Sequence, residues 1–194
     1  MAGIAMAEIL RHSDAPRALA IYDHTLRHMG EIKDNSSFRR YEVSALVGST
    51  YPLRRLGRSA ESRQRLDAAF ERLRQVKSYP AEKIKPGSEP DEALSALADY
   101  EAGNGHVSQA IEIYQKLLDR LLAAKPKPET SLTDAVHLSR VYKSLAALQR
   151  RARQTGSASA LEARRLELWR GWDSRLPQNS FVRRQLNAAK GPVQ

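Results

Sequence analysis

The chain has 194 residues, of which 41% are hydrophobic and 28% charged, with no cysteine and a formal charge of +10. That length buries a core without disulfide or metal staples, and the missing thiols exclude a cysteine nucleophile, a zinc ribbon and an iron–sulfur centre while suiting a reducing cytoplasm. No stretch approaches the ~18–20 apolar residues of a membrane span, and the opening MAGIAMAEILR lacks the basic lead of a secretion signal.

Gly and Pro fall between apolar-periodic runs, with one exception, so the runs read as helices. A short helix is expected over about residues 3–12. Asp14 then caps a second, with Pro16 in its first turn and Ala18, Ile21, Tyr22, Thr25, Leu26 and Met29 on one stripe. A third helix runs from about Ser36 to Leu56, with Phe38, Tyr41, Ala45, Leu46 and Leu53 on a face. Pro52 lies inside it and is expected to kink it, and Gly57 ends it. Ser59 is the expected cap of a fourth helix carrying Ser62, Leu66, Ala69, Phe70, Leu73 and Val76.

Residues 78–88 hold two prolines and a glycine and form the longest loop. Ser88 and Asp91 have the spacing of a capping box, opening a fifth helix that buries Leu94, Leu97 and Ala98 and ends near Gly103. The sixth presents Ala110, Tyr114, Leu117, Leu118 and Leu121. Ser131 and Asp134 form a second box for the seventh, striped by Leu138, Val141, Tyr142, Leu145 and Leu148. An eighth, from about Ser159, carries Leu161, Leu168, Trp169 and Trp172, and Asn179–Lys190 is an end cap. No run alternates apolar and polar residues over a useful length, so the expected class is all-α.

On the second helix of each pair a small residue precedes a large one by four: Ala18/Tyr22, Ser62/Leu66, Ala110/Tyr114 and, without the large apolar residue, Ala160/Arg164. Leu97-Ala98, Gly105, Ala110, Tyr114 and Pro126 together resemble the tetratricopeptide repeat, although Leu94 replaces its first aromatic and Pro126 comes late. The small residues are spaced by 44, 48 and 50 residues, longer than the family's unit of about 34. The resemblance implies a right-handed superhelix of antiparallel hairpins with long helices, at about 3–32, 36–77, 89–125 and 132–176, closed by a capping helix at 179–190. The runs LEARRLELWRGWDSRLPQNSFVRRQL and FRRYEVSALVGSTYPLRRLGR resemble the helical-repeat regions that follow bacterial serine/threonine kinase domains. The kinase motifs themselves are not in this sequence.

Candidate chemistry is sparse. Gly103-Asn104-Gly105 follows a helix and has no lysine or third glycine behind it, so it reads as a turn and not a phosphate loop. His24 and His28 are one helical turn apart, but nothing in the spacing completes a metal site, and they read as surface residues. Trp169 and Trp172, among Arg165, Arg170 and Arg175, read as an apolar seal with Arg165 as a cation–π neighbour, or else as a base-stacking platform. No cofactor, metal or catalytic set is expected.

Residues 135–194 hold 12 basic and 3 acidic residues, whereas residues 86–115 hold six acidic ones and no Lys or Arg. The segregation either steers a partner or lets the acidic fifth helix sit against basic neighbours. In a hairpin array the first helix of each pair lines the concave face. Tyr51 and Arg55, Ser95 and Asp99, and Arg140 and Ser144 are the expected groove residues. The expected function is capture of a peptide or partner helix, acidic in character, by a cytoplasmic interaction module. The alternative is a nucleic-acid-binding array using Arg164, Arg165, Arg183 and Arg184.

Overall fold

The computed structural model describes residues 2–31 and 36–190, with side chains for 3–29 and 39–190. Among them the chain forms α1 (Ala2–Leu10), α2 (Ala15–Glu31), α3 (Ser36–Arg55), α4 (Ser59–Gln75), α5 (Glu89–Gly103), α6 (Val107–Ala123), α7 (Leu132–Arg151), α8 (Thr155–Arg175) and α9 (Ser180–Ala189), and no strand. The all-α expectation holds. Phe38 lies outside the residues whose side chains are described.

Each helix packs on the next in sequence, and α3 also packs on α1 and on α5. Among the described residues no even-numbered helix packs substantially on another, although Arg65 of α4 pairs with Asp23 of α2 at 2.6 Å. The main core runs continuously from Val43 through Leu66, Tyr114 and Leu145 to Leu161. A smaller cluster around Tyr22 joins α1, α2 and α3, and another around Trp169 joins α7, α8 and α9.

One backbone device makes three of the helix-to-helix turns. Gly57, Gly105 and Arg153 all have positive φ and are spaced by 48 residues. The next amide in each case reaches back across the turn: Arg58 to the Leu53 carbonyl, His106 to Glu101 and Gln154 to Gln149. That is a Schellman ending, in which a left-handed residue frees the following N–H to satisfy an orphan carbonyl. The carbonyls of Arg58, His106 and Gln154 then accept the amides of Ser62, Ala110 and Ala158, as Asp14 accepts that of Ala18. Those four small residues are fully buried. A larger side chain there would hold the paired helices apart.

Several local expectations are corrected. Helix α8 begins at Thr155 and not Ser159, so its small buried residue is Ala158, while Ala160 and Arg164 are exposed. Arg58 holds the cap position of α4, and Ser59 lies inside the helix with its hydroxyl on Asn104 Oδ1 at 3.1 Å. Ser88 occupies the α5 cap position, but its hydroxyl donates back to the Lys85 carbonyl, and Asp91 accepts from the Gly87 amide. No capping box forms there, because burial of Asp91 commits its carboxylate elsewhere. Ser131 does cap α7, accepting from the Asp134 amide at 3.2 Å. Helix α3 continues through Pro52, which leaves the Gly48 carbonyl without its usual donor. Ile84, in the 76–88 loop, is buried, and its amide donates to the Arg120 carbonyl, pinning the loop to α6.

Candidate binding trough

The odd helices carry the apolar stripes that bury against their partners, and this leaves their opposite edges side by side. Between those edges lies a cavity of about 230 Å³. Ile4 and Glu8 come from α1, Arg11 from the turn after it, Ser44, Val47, Gly48 and Tyr51 from α3, Glu92 from α5 and Arg140 from α7. Four helices thus contribute to one wall. Gly48 is at its floor because Tyr22 stands directly behind it: a Cβ at 48 would lie 2.5 Å from the tyrosine hydroxyl. That hydroxyl donates to Glu8 Oε1 at 2.6 Å, fixing the carboxylate at the edge of the trough.

Arg11 and Tyr51 also line a second cavity of about 480 Å³. It lies where α1, α3 and α5 end, with His12, Arg54, Arg55, Ser59, Gly103 and Asn104 on its wall. The Arg11 guanidinium sits 4.7 Å from the Tyr51 ring centre and pairs with Glu8 at 2.8 Å. Shared residues make the two cavities parts of one trough with a basic end.

Behind the wall is a polar network. Asp99 accepts from Tyr114 at 2.7 Å and from Tyr51 at 3.4 Å. Burial first, and the Asp99 charge second, push both phenols well above their ordinary range. Both are therefore neutral donors at physiological pH. Asp91 is fully buried, 3.1 Å from His137 Nδ1 and 3.7 Å from Arg140 Nη2. At 3.7 Å the arginine is held by charge and not by a hydrogen bond. Arg140 Nε and Nη2 consequently have no hydrogen-bond partner. Glu92, beside them, is pushed above the usual carboxylate range by burial, against the opposing pull of Arg140.

The six expected groove residues divide. Arg140 and Tyr51 line the trough, and Arg55 lines its basic end with a guanidinium donating to the carbonyls of Arg11 and His12. Asp99 and Ser144 stand one layer back, Asp99 accepting from the Tyr114 hydroxyl and Ser144 beside it. Ser95 is a correction: it is buried, and its hydroxyl faces Asp91 Oδ1 at 3.4 Å. Helix α5 is hemmed in on several sides, so one turn off its stripe is still interior. Glu8, Arg11, Glu92 and Arg54 were not singled out from the sequence. Glu8 is the one charged residue of the apolar opening helix, and Arg11 follows directly after it, so no polar stripe marks either.

Residues elsewhere are mostly structural. Trp169 is fully buried with Nε1 on Ser139 Oγ at 2.7 Å, and Trp172 donates to the Pro128 carbonyl at 2.8 Å. Trp169 forms the seal, while Trp172 also lines a cavity of about 420 Å³ with Tyr142, Arg164 and Arg175. Arg165 is not over the Trp169 ring as expected: it donates to Ser139 Oγ at 3.1 Å and to the Ala188 carbonyl at 3.0 Å, tying α9 down. His24 and His28 are exposed, with ring centres 4.4 Å apart, and no metal-holding cluster occurs among the described residues. The acids of α5 do meet basic neighbours: Glu89 faces Arg40, Glu101 faces Arg63 and Asp91 faces Arg140. No helix among the described residues is long and apolar enough to cross a membrane.

The chain matches no protein-family model. It likewise matches no curated protein and no solved structure.

Proposed function

We propose that this chain is a non-catalytic interaction module that holds an extended peptide or a partner helix in the trough between its odd-numbered helices. The observation that carries the reading is Arg140: a guanidinium on the trough wall with two buried nitrogens lacking hydrogen-bond partners. Those two nitrogens are out of a ligand's reach, but the side chain is 40% exposed and offers its remaining guanidinium donors to a ligand acceptor. Packing of α3 on both α1 and α5, without comparable packing between even-numbered helices, supports curvature toward the odd side. On this reading the hairpins form a tetratricopeptide-like right-handed superhelix, α9 is its end cap and the trough is the concave face. The likeness to kinase-associated helical regions makes the module the docking or regulatory part of a bacterial signalling kinase, working in the cytoplasm. A kinase domain encoded upstream is the expected finding.

The test is retention of a randomised peptide library on the immobilised protein. Arg140→Ala and Ser44→Phe, the second of which plugs the trough, should each abolish retention. Ser44→Phe should leave thermal unfolding within a few degrees, whereas Arg140→Ala also strips a charge partner from buried Asp91 and should lower it. Undiminished retention by both variants refutes the trough. The exposed Arg164, Arg183 and Arg184 keep a nucleic-acid reading in play. It requires single-stranded oligonucleotide affinity that falls steeply with salt and is lost when those three are neutralised.

A further inference from the structure

Resting on the trough reading, we propose that its basic end is a phosphoryl-binding subsite, which takes a phosphorylated side chain of the peptide lying in the trough.

The wall of the 480 Å³ cavity carries the guanidinium groups of Arg11, Arg54 and Arg55 and the imidazole of His12, and no carboxylate. Only Arg11 has an acidic partner, Glu8, on the neighbouring part of the trough. The Arg54 guanidinium makes no hydrogen bond or ion pair with any described residue and lies across Gly103, where an added Cβ would meet its Nη2 at 2.8 Å. Glycine is what lets that guanidinium lie flat at the cavity edge. Arg11 is held by the Tyr51 ring and Glu8, and Arg55 by the two carbonyls it caps, so both cations are positioned before any ligand arrives. Ser59 Oγ and the Asn104 amide add neutral polar groups at the rim.

Cations in the last turns of helices are also expected as partners for the helix dipole. Here that role is largely filled by others. The terminal carbonyls of α3 and α5 accept the Arg58 and His106 amides, and the Asn104 side chain donates to the Tyr100 carbonyl. Arg54 is left over. Three guanidinium groups around one cavity repel each other, and a doubly charged tetrahedral anion relieves that repulsion better than a single carboxylate. Its oxygens also match several planar donor forks at once.

A peptide is favoured over a nucleic acid for two reasons. The cavity suits one phosphoryl group and not a row of them. The Tyr51 ring already carries the Arg11 guanidinium 4.7 Å from its centre, so it is not open for a base to stack on.

The experiment compares two peptide libraries on the immobilised full chain at fixed ionic strength, one with a central phosphoserine and one with serine, each flanked by randomised positions. The phosphorylated library should be retained about tenfold more tightly and be displaced by inorganic phosphate but not by equivalent chloride. Arg54→Gln and Arg55→Gln should each remove most of that preference, whereas Arg74→Gln, exposed on α4, should leave it intact. Equal retention of both libraries, or a preference that survives Arg54→Gln and Arg55→Gln, overturns the subsite. If the serine library is then still lost on Arg140→Ala, the trough itself stands. Inorganic phosphate that perturbs the Arg54 and Arg55 side-chain NMR signals, with neither library retained, overturns the peptide trough instead. Tighter retention of an oligothymidylate than of the phosphorylated library overturns the peptide as the phosphate's carrier.

Discussion

At the position between α7 and α8 a left-handed backbone is carried by arginine, where the two equivalent turns use glycine. A side chain in that region costs roughly 1–2 kcal/mol, partly offset by the greater freedom glycine has when unfolded. Arg153→Gly should therefore raise stability by about 0.5–1 kcal/mol, and Gly105→Ala should lower it by about 1 kcal/mol. Nothing lies within 4 Å of a Cβ built at Gly105, so its loss would report backbone strain alone. Urea midpoints at unchanged slope check both. Gly48→Ala is a different case, since the Cβ would collide with the Tyr22 ring at 2.5–2.7 Å. Overpacking of that kind costs about 1–3 kcal/mol, and here it would push α2 away from α3.

Glu92 gives a pH dependence whose sign can be worked out. Its folded pKa lies above the ordinary 4.5 through burial, with Glu8 and Asp91 adding to the rise and Arg140 and His137 opposing it. Below 4.5 the group is protonated in both states and contributes nothing. As pH rises past 4.5 the unfolded chain ionises first, so stability falls until the folded pKa is passed. Glu92→Gln should match the parent near pH 4 and exceed it at pH 7, in thermal unfolding at the two values. An equal difference at both pH values would show that ionisation is not the cause.

Elements were legible where apolar spacing was unbroken. Leu138, Val141, Tyr142, Leu145 and Leu148 mark α7 without ambiguity, and all five are buried. The start of α8 was hidden because Thr155–Ser159 contains no large apolar residue and because the turn before it lacks the glycine that flags the other two. The trough was partly legible. Tyr51 and Arg140 follow from helical position, but Asp91 has the spacing of a capping residue, and only tertiary packing reveals that α7 approaches it. Ser139 was missed for a similar reason: it is a small polar residue on the edge of an apolar stripe. It accepts from both Trp169 and Arg165, so Ser139→Ala leaves two buried donors without an acceptor. A loss of about 1–3 kcal/mol is expected, read from denaturant unfolding. Earlier exchange of the α9 amides should accompany it, since Arg165 also holds the Ala188 carbonyl.

At the scale of the molecule, the absence among the described residues of substantial packing between helices distant in sequence sets how damage spreads. Each helix depends on its neighbours, and the Tyr22 cluster at one end shares no buried residue with the Trp169 cluster at the other. In such arrays stability is close to a sum of local terms plus nearest-neighbour interfaces. A lesion at α9 should therefore loosen the last hairpin before it reaches the first. Val182 is fully buried against Trp169 and its neighbours, and Val182→Asp puts a charge in that cluster with no partner. Hydrogen exchange should show lost protection in α9 and α8, a smaller loss in α7, and α1–α4 close to the parent under native conditions. The trough would keep its α1, α3 and α5 walls in this variant, so peptide retention should persist until α7, with Arg140, is loosened. Uniform loss of protection from α1 to α9 would mean that the helices unfold as one cooperative unit. The trough would then be as sensitive to the far end of the chain as to its own walls.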